Sequence, residues 1–215
     1  MNFRWNTSNV EPANYTISAN ATLTLTSDDD SSDNIFVDDI VTIKSRIQHD
    51  VAVINVTPLK TIVGQNYTLH INVTLANQGD FTETFNVTVY ANMTEIKTQE
   101  ITITNGETKT ITFTWNTTGF AKGNYTLWAY AWPVQGETNF GDNTLVDGRI
   151  LVTIPGDVVA PYFEVDIFDV TAINICYDQK IGDPLYQPDY DINSDGIIDI
   201  YDVTTANITY GQKDP

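Results

Sequence analysis

The stretch DINSDGIIDIYD, Asp191 to Asp202, combines side-chain types and spacing that specify a chemistry. Oxygen-bearing side chains stand at loop positions 1, 3, 5, 9 and 12, as Asp191, Asn193, Asp195, Asp199 and Asp202. Gly196 falls at position 6, where the chain must turn sharply, and Ile197 at position 7 offers its backbone carbonyl. A flexible set of six or seven oxygens suits calcium better than the smaller magnesium ion. The spacing is that of an EF-hand calcium loop with Asp in place of the bidentate Glu at the last position. The shorter last ligand argues against tight closure of the following helix on the ion. A solvated acidic turn would need five ligand positions and the glycine to coincide by chance.

The same segment is half of a repeat. DIFDVTAINICYDQK (Asp166 to Lys180) matches DIYDVTTANITYGQK (Asp199 to Lys213), with Asp166/Asp199, Asp169/Asp202, Asn174/Asn207 and Tyr177/Tyr210 among the identities. Each half reads as a loop followed by a helix, with Ile200, Val203, Asn207 and Tyr210 near one face at helical spacing. Upstream of the first helix the sequence is DVVAPYFEV, one residue longer than its counterpart, with Val159, Pro161 and Tyr162 where ligands and the glycine would fall. Asp157, Asp166 and Asp169 alone remain there as candidate ligands. The expectation is one competent calcium loop and one degenerate loop packed by Pro161, Tyr162 and Phe163.

Two loop-and-helix units joined by GDPLYQPDYD resemble a dockerin of the type at the C-termini of archaeal surface proteins. The resemblance covers residues 156–215 and implies a cohesin-like partner. In that family the recognition positions correspond to Ile167 and Phe168 in the first unit, and to Ile200 and Tyr201 in the second. Docking on the chain's own sandwich, or on another copy, competes with a separate cohesin.

The elements that must position these residues are mostly strands. From Asp50 to Ile154 the hydrophobic pattern has period two, as in YTLHINVTL (67–75), where Tyr67, Leu69, Ile71, Val73 and Leu75 share one face. Further ladders run through VAVINV, FNVTVYA, KTITFTW, NYTLWAYAW and RILVTI, separated by turn signals such as Asn105-Gly106. This predicts one immunoglobulin-like β-sandwich of about seven strands over residues 49–155.

A second repeat dissects the N-terminus. FRWNTSNVEPANYT (Phe3 to Thr16) returns as FTWNTTGFAKGNYT (Phe113 to Thr126), and Asp33-Asn34 and Val37-Asp38 return as Asp142-Asn143 and Val146-Asp147. Residues 1–48 therefore read as the last three strands of a second sandwich, the C-terminal half of a domain. The apolar face carrying Phe3, Trp5, Tyr15 and Ile17 must then be covered from outside these residues, by an upstream segment or by a neighbouring molecule. The acidic run DDDSSDN (28–34) reads as a solvated loop.

HDVAVINVTP, VTLANQGDFTETFNVTVYAN, FTWNTTGFAKGNYTLWAYA and GETNFGDNTLVDG resemble the cell-adhesion-related (CARDB) domains of archaeal and bacterial surface proteins. The likeness covers Asp50 to about Pro155 in full and residues 1–48 as a half. It implies an extracellular, structural or adhesive sandwich without catalysis.

Composition narrows the functions further. The 28 Asp and Glu against 10 Lys and Arg give a net charge of −18, which repels nucleic acid and anionic membranes and favours cations. Cys176 alone cannot form an intrachain disulfide, and with only His49 and His70 there is no zinc cluster. No apolar run reaches membrane-spanning length, so membrane insertion is not expected. No nucleophile elbow, phosphate loop or pair of facing carboxylates is evident, so no enzyme activity is expected.

Eleven Asn-x-Ser/Thr sequons occur, at Asn6, Asn14, Asn20, Asn55, Asn66, Asn72, Asn86, Asn92, Asn116, Asn124 and Asn207. Strand alternation in a Thr-rich chain generates some of them, because Asn and the Thr two residues on share the solvent face. The expectation is dense N-glycosylation of exposed faces. Taken together, the residues and resemblances imply an extracellular structural protein of an archaeal cell surface. It would assemble into a filament, tube or surface layer through strand complementation and calcium-stabilised contacts. The alternative is a non-catalytic C-terminal anchoring module of a secreted hydrolase.

Overall fold

The computed structural model describes residues 2–22, 30–44 and 47–214. It divides into two compact units, residues 1–47 and 48–215.

The first unit is an antiparallel hairpin of β1 (Ala13–Asn20) and β2 (Ile35–Ile43). Three strands are expected here from the sequence; among the described residues two form. Phe3 to Thr7 is not a strand. Asp28 and Asp29 of the acidic run lie outside the described residues, while Asp30 accepts the Ser32 amide at 3.0 Å and caps a short 3-10 turn.

The second unit opens with eight strands: β3 (Val51–Pro58), β4 (Ile62–Gly64), β5 (Thr68–Asn77), β6 (Glu83–Ala91), β7 (Thr94–Ile103), β8 (Thr108–Asn116), β9 (Gly123–Ala131) and β10 (Thr144–Thr153). They form a three-stranded sheet, β3-β5-β8, and a five-stranded sheet, β4-β10-β9-β6-β7, in which only β4 and β10 run parallel. The alternation in β5 does what it predicts. Leu69, Ile71, Val73 and Leu75 are fully buried between the sheets, and Thr68, His70, Asn72 and Thr74 face outward. Trp115, Phe113, Val87, Leu127, Ile150 and Val152 complete this core. The result is mainly β, an immunoglobulin-like sandwich.

The helical segment follows within the same unit: α1 (Ile167–Ile175), β11 (Gln179–Lys180), β12 (Ile197–Ile198) and α2 (Ile200–Thr209). β11 and β12 pair as a two-residue ribbon. Val158, Ile173, Cys176, Ile192, Ile198, Val203 and Ala206 make a small second core, so Cys176 serves as a buried apolar residue. The face expected of α2 needs correction. Val203 and Ala206 turn inward, whereas Ile200, Asn207 and Tyr210 are exposed. The seat on the sandwich decides this, because Gly156 (φ +96°) passes so close that a Cβ there would lie 2.7 Å from the Ala206 Cα.

The two units share a template. β1 and β2 repeat β9 and β10 with the same register: Tyr130 faces Thr144 as Asn20 faces Ile35, offsets of 130 − 20 = 110 and 144 − 35 = 109. These offsets hold at every pair, through the same irregularity in mid-strand. The Tyr15 hydroxyl donates to the Glu11 carbonyl at 2.9 Å as Tyr125 does to Ala121 at 2.7 Å, the tyrosine corner of such sandwiches. Trp5 meets Tyr15 edge-on at 5.3 Å as Trp115 meets Tyr125 at 5.5 Å. The missing third strand now has a cause. Phe3 to Thr7 corresponds to the end of β8, whose ladder partner is β5, and no described strand of the first unit repeats β5.

Candidate metal centre

The Asp191–Asp202 loop begins after a short 3-10 turn (Pro188–Tyr190) and ends in α2. Asp191 is buried; its Oδ1 accepts the Asp195 amide at 3.2 Å, and its Oδ2 accepts the Gly196 amide at 2.8 Å and the Tyr186 hydroxyl at 2.7 Å. Asn193 donates to Asp195 Oδ2 at 2.8 Å, and Asp195 Oδ1 accepts the Ile197 amide at 3.0 Å. Gly196 has φ +91°, the left-handed conformation that the sharp turn at position 6 requires. Ile197 is held by its pairing with Lys180 in the small ribbon.

Asp199 and Asp202 have a second task that the ligand spacing conceals. They form a capping box on α2: Asp199 Oδ1 accepts the Tyr201 amide at 2.8 Å, and Asp202 Oδ2 accepts the Asp199 amide at 2.8 Å. Asp202 Oδ1 reaches back to the Ile192 amide at 2.7 Å. Burial pushes the Asp202 carboxyl up, against three backbone amides that favour its charge. The Tyr186 hydroxyl is likewise raised, by burial and by its bond to Asp191. With these carboxylates turned onto amides, no three His, Cys, Asp or Glu side chains converge on one point among the described residues. The residues nevertheless fit a calcium ion in kind. Four carboxylates, an amide oxygen and a carbonyl line a glycine-turned loop, and a cavity of about 300 Å³ opens onto Asp191, Asp195 and Gly196.

Two residues outside the loop, Lys60 and Asp189, tie its backbone to the sandwich, and no local pattern in the sequence marks either. Lys60 is buried, and its ammonium donates to the carbonyls of Asp191 at 2.9 Å and Ile192 at 3.1 Å. Burial lowers its pKa to about 8, against the opposing pull of Asp191, Asp189 and Asp202. Asp189 accepts the amides of Thr61 and Ile62 at 2.6 and 2.9 Å.

The first unit of the repeat preserves the frame without the ligands. Asp169 accepts the amides of Val158, Val159 and Asp166 as Asp202 accepts those of Ile192, Asn193 and Asp199. Asp166 and Asp169 form the capping box of α1. Phe163 takes φ +73° where the second loop has Gly196, and its amide donates to Asp157 Oδ2 at 2.6 Å. Asp157 also accepts the Thr153 hydroxyl, but its buried Oδ1 has no donor. Burial is the main cause that pushes this carboxyl up to about 6.

A group raised in the folded state adds stability below its unfolded pKa and loses it as pH rises through the folded one. Asp157 therefore weakens the fold above about pH 6. In chelator, Asp157→Asn should be more stable than the parent at pH 7.5, by on the order of 2 kcal/mol, with the difference vanishing near pH 4. Thermal unfolding at both pH values checks this. A variant less stable than the parent at pH 7.5 even in chelator would instead mean that the Thr153 hydroxyl and the Phe163 amide outweigh the burial of the charge.

Residues 48–135 match the CARDB family. This stretch of the chain is a CARDB domain. Among solved structures, the CARDB domain of a Pyrococcus furiosus protein in complex with di-metal ions is similar, with 24% identity and a TM-score of 0.43 over 52% of this chain and 99% of that one. A domain of a Methanosarcina acetivorans protein named for the cell surface matches at 24% identity and a TM-score of 0.40, over 49% and 93%. A β-glucosidase of Erythrobacter marinus matches at 14% identity and a TM-score of 0.40, over 49% of this chain and 16% of its own. No curated protein matches the chain.

The remaining predicted site residues fall outside the metal centre. Of the eleven sequon asparagines, three lie in the hairpin unit, seven in or beside the CARDB domain and Asn207 on α2. All are exposed except Asn72, which is half-buried and accepts the Thr112 hydroxyl on the outer face of the three-stranded sheet. Ile167, Phe168, Ile200 and Tyr201 are all exposed, at the first turns of the two helices. In the hairpin unit the exposures decide the reading. Phe3 is 87% exposed, Trp5 46% and Ile17 40%, whereas their CARDB-domain counterparts Phe113, Trp115 and Leu127 are 0%, 1% and 0%. Tyr15 is half-buried against Trp5.

Proposed function

We propose that this chain is an extracellular structural or adhesive protein of a cell surface, which associates through its uncovered hairpin and is stabilised by calcium. The CARDB match over residues 48–135 supports a cell-surface, adhesion-related module. No described helix is long and apolar enough to cross a membrane. The single observation that carries assembly is the contrast between Phe3, Trp5 and Ile17 and their buried counterparts in the same chain. A hairpin with the register and tyrosine corner of β9–β10 is built to be half of a sandwich, and a neighbouring molecule supplies the other apolar face.

In this reading the loop from Asp191 to Asp202 binds calcium, which supplies positive charge to draw its carboxylates inward. The exposed sequons carry N-linked glycans, which keep the outer sheet faces wetted. Sedimentation velocity of the purified chain should show mass-action oligomers that Trp5→Glu abolishes, and native material should exceed the sequence mass by whole glycans. A single monomeric species at every concentration would sink the assembly reading.

One observation favours a second reading. The exposed pairs Ile167/Phe168 and Ile200/Tyr201 sit at matching places on α1 and α2, as two copies of one docking surface would. A dockerin-like anchor that binds a cohesin-like domain, on a secreted hydrolase or a surface protein, would use them.

A further inference from the structure

The candidate calcium loop is also one of the places where the helical segment grips the CARDB domain, besides the Tyr67 hydroxyl on Thr205 and the Lys122–Asp214 pair. Lys60, between β3 and β4, donates to the carbonyls of loop positions 1 and 2, Asp191 and Ile192. Position 4, Ser194, donates its hydroxyl to the carbonyl of Thr68, the first residue of β5, at 3.0 Å. Two residues before the loop, Asp189 accepts the Thr61 and Ile62 amides and, at 2.8 Å, the Thr61 hydroxyl, at the start of β4. Three grips within six residues thus fix the backbone from which the ligand side chains at positions 1, 3 and 5 project.

We infer that ion binding by the Asp191–Asp202 loop and docking of that loop on β4 and β5 are one coupled equilibrium, with Asp189 as a positioning residue for the ion. This rests on the calcium reading above. Drawing the carboxylates onto an ion costs less when the backbone that carries them is already fixed, and here the CARDB domain fixes the backbone at three positions of the loop. The reverse follows by necessity. Whatever docking adds to calcium affinity, calcium adds by the same factor to docking. The amides of Thr61 and Ile62 report docking directly, because their acceptor is Asp189 and not a neighbouring strand.

The test is amide hydrogen exchange on the whole chain, read beside calorimetric titration with calcium chloride. Calcium should slow exchange at Thr61 and Ile62 in the parent. Asp189→Ala, which touches no proposed ligand, should still bind calcium but about fivefold or more weakly, without that protection. Asp189→Asn, which keeps one acceptor oxygen, should fall between. Heat of binding with Thr61 and Ile62 unchanged would overturn the coupling and leave the calcium site standing. No heat in the parent would overturn both. An Asp189→Ala affinity equal to the parent's would also overturn the coupling.

Discussion

Millimolar calcium should raise the melting temperature of this chain by about 5–10 °C. A loop with a dissociation constant on the order of 10 µM gains about 2.7 kcal/mol at a hundredfold excess of ion, and a unit of this size shifts by about 2–4 °C per kcal/mol. The gain is large because the loop concentrates Asp191, Asp195, Asp199 and Asp202, while Lys60 is the ammonium bonded to its backbone. Magnesium at the same concentration should do much less, since it gives up its waters reluctantly. Scanning calorimetry of the parent and of Asp191→Ala/Asp195→Ala, with calcium and with chelator, checks this. Equal shifts in both proteins would show that the loop is not the site.

The second large effect separates two tryptophans that occupy the same place in the repeat. Trp115→Ala should destabilise the CARDB domain by about 3–5 kcal/mol, because its indole is buried edge-on against Phe120 and Tyr125. Trp5→Ala should leave that unfolding transition where it was, since Trp5 is half-exposed and meets only Tyr15 among the aromatic rings described. Under the proposed function its effect should appear instead in association, as weaker oligomers of the Trp5→Ala variant. Denaturant unfolding followed by fluorescence resolves the two. A Trp5→Ala variant that lowers the CARDB transition as Trp115→Ala does would contradict the separation of the two roles.

Much of the sandwich is legible because its strands bury one face and wet the other; β5 needs only its alternation of Leu, Ile and Val with Thr, His and Asn. Two strands escape the same reading. β7, TEIKTQEITI, is an edge strand that buries only Ile101 and Ile103, and β4 has three residues, too few for a period. The hairpin register was readable from the repeat, while its absent third strand depended on a partner that the repeat does not contain.

The candidate metal loop was visible in its spacing. The capping boxes of Asp166/Asp169 and Asp199/Asp202 carried a local signal too, an acid three residues after an acid before an apolar run, but that signal coincides with ligand positions 9 and 12. Lys60 and Asp189 left no trace in sequence. Their bonds join residues about 130 positions apart, and no local pattern encodes a contact of that kind. The same long-range seat turned Val203 and Ala206 inward on a helix too short to declare its face.

Amide hydrogen exchange across β1 and β2 tests the complementation most directly. A two-stranded hairpin with one face open to water is marginally stable at best. Exchange in Ala13–Asn20 and Ile35–Ile43 should therefore be fast in dilute protein and slow with rising concentration, toward the protection of β9 and β10. Fast exchange there at every concentration, with β9 and β10 protected throughout, would contradict a hairpin completed by a neighbouring molecule.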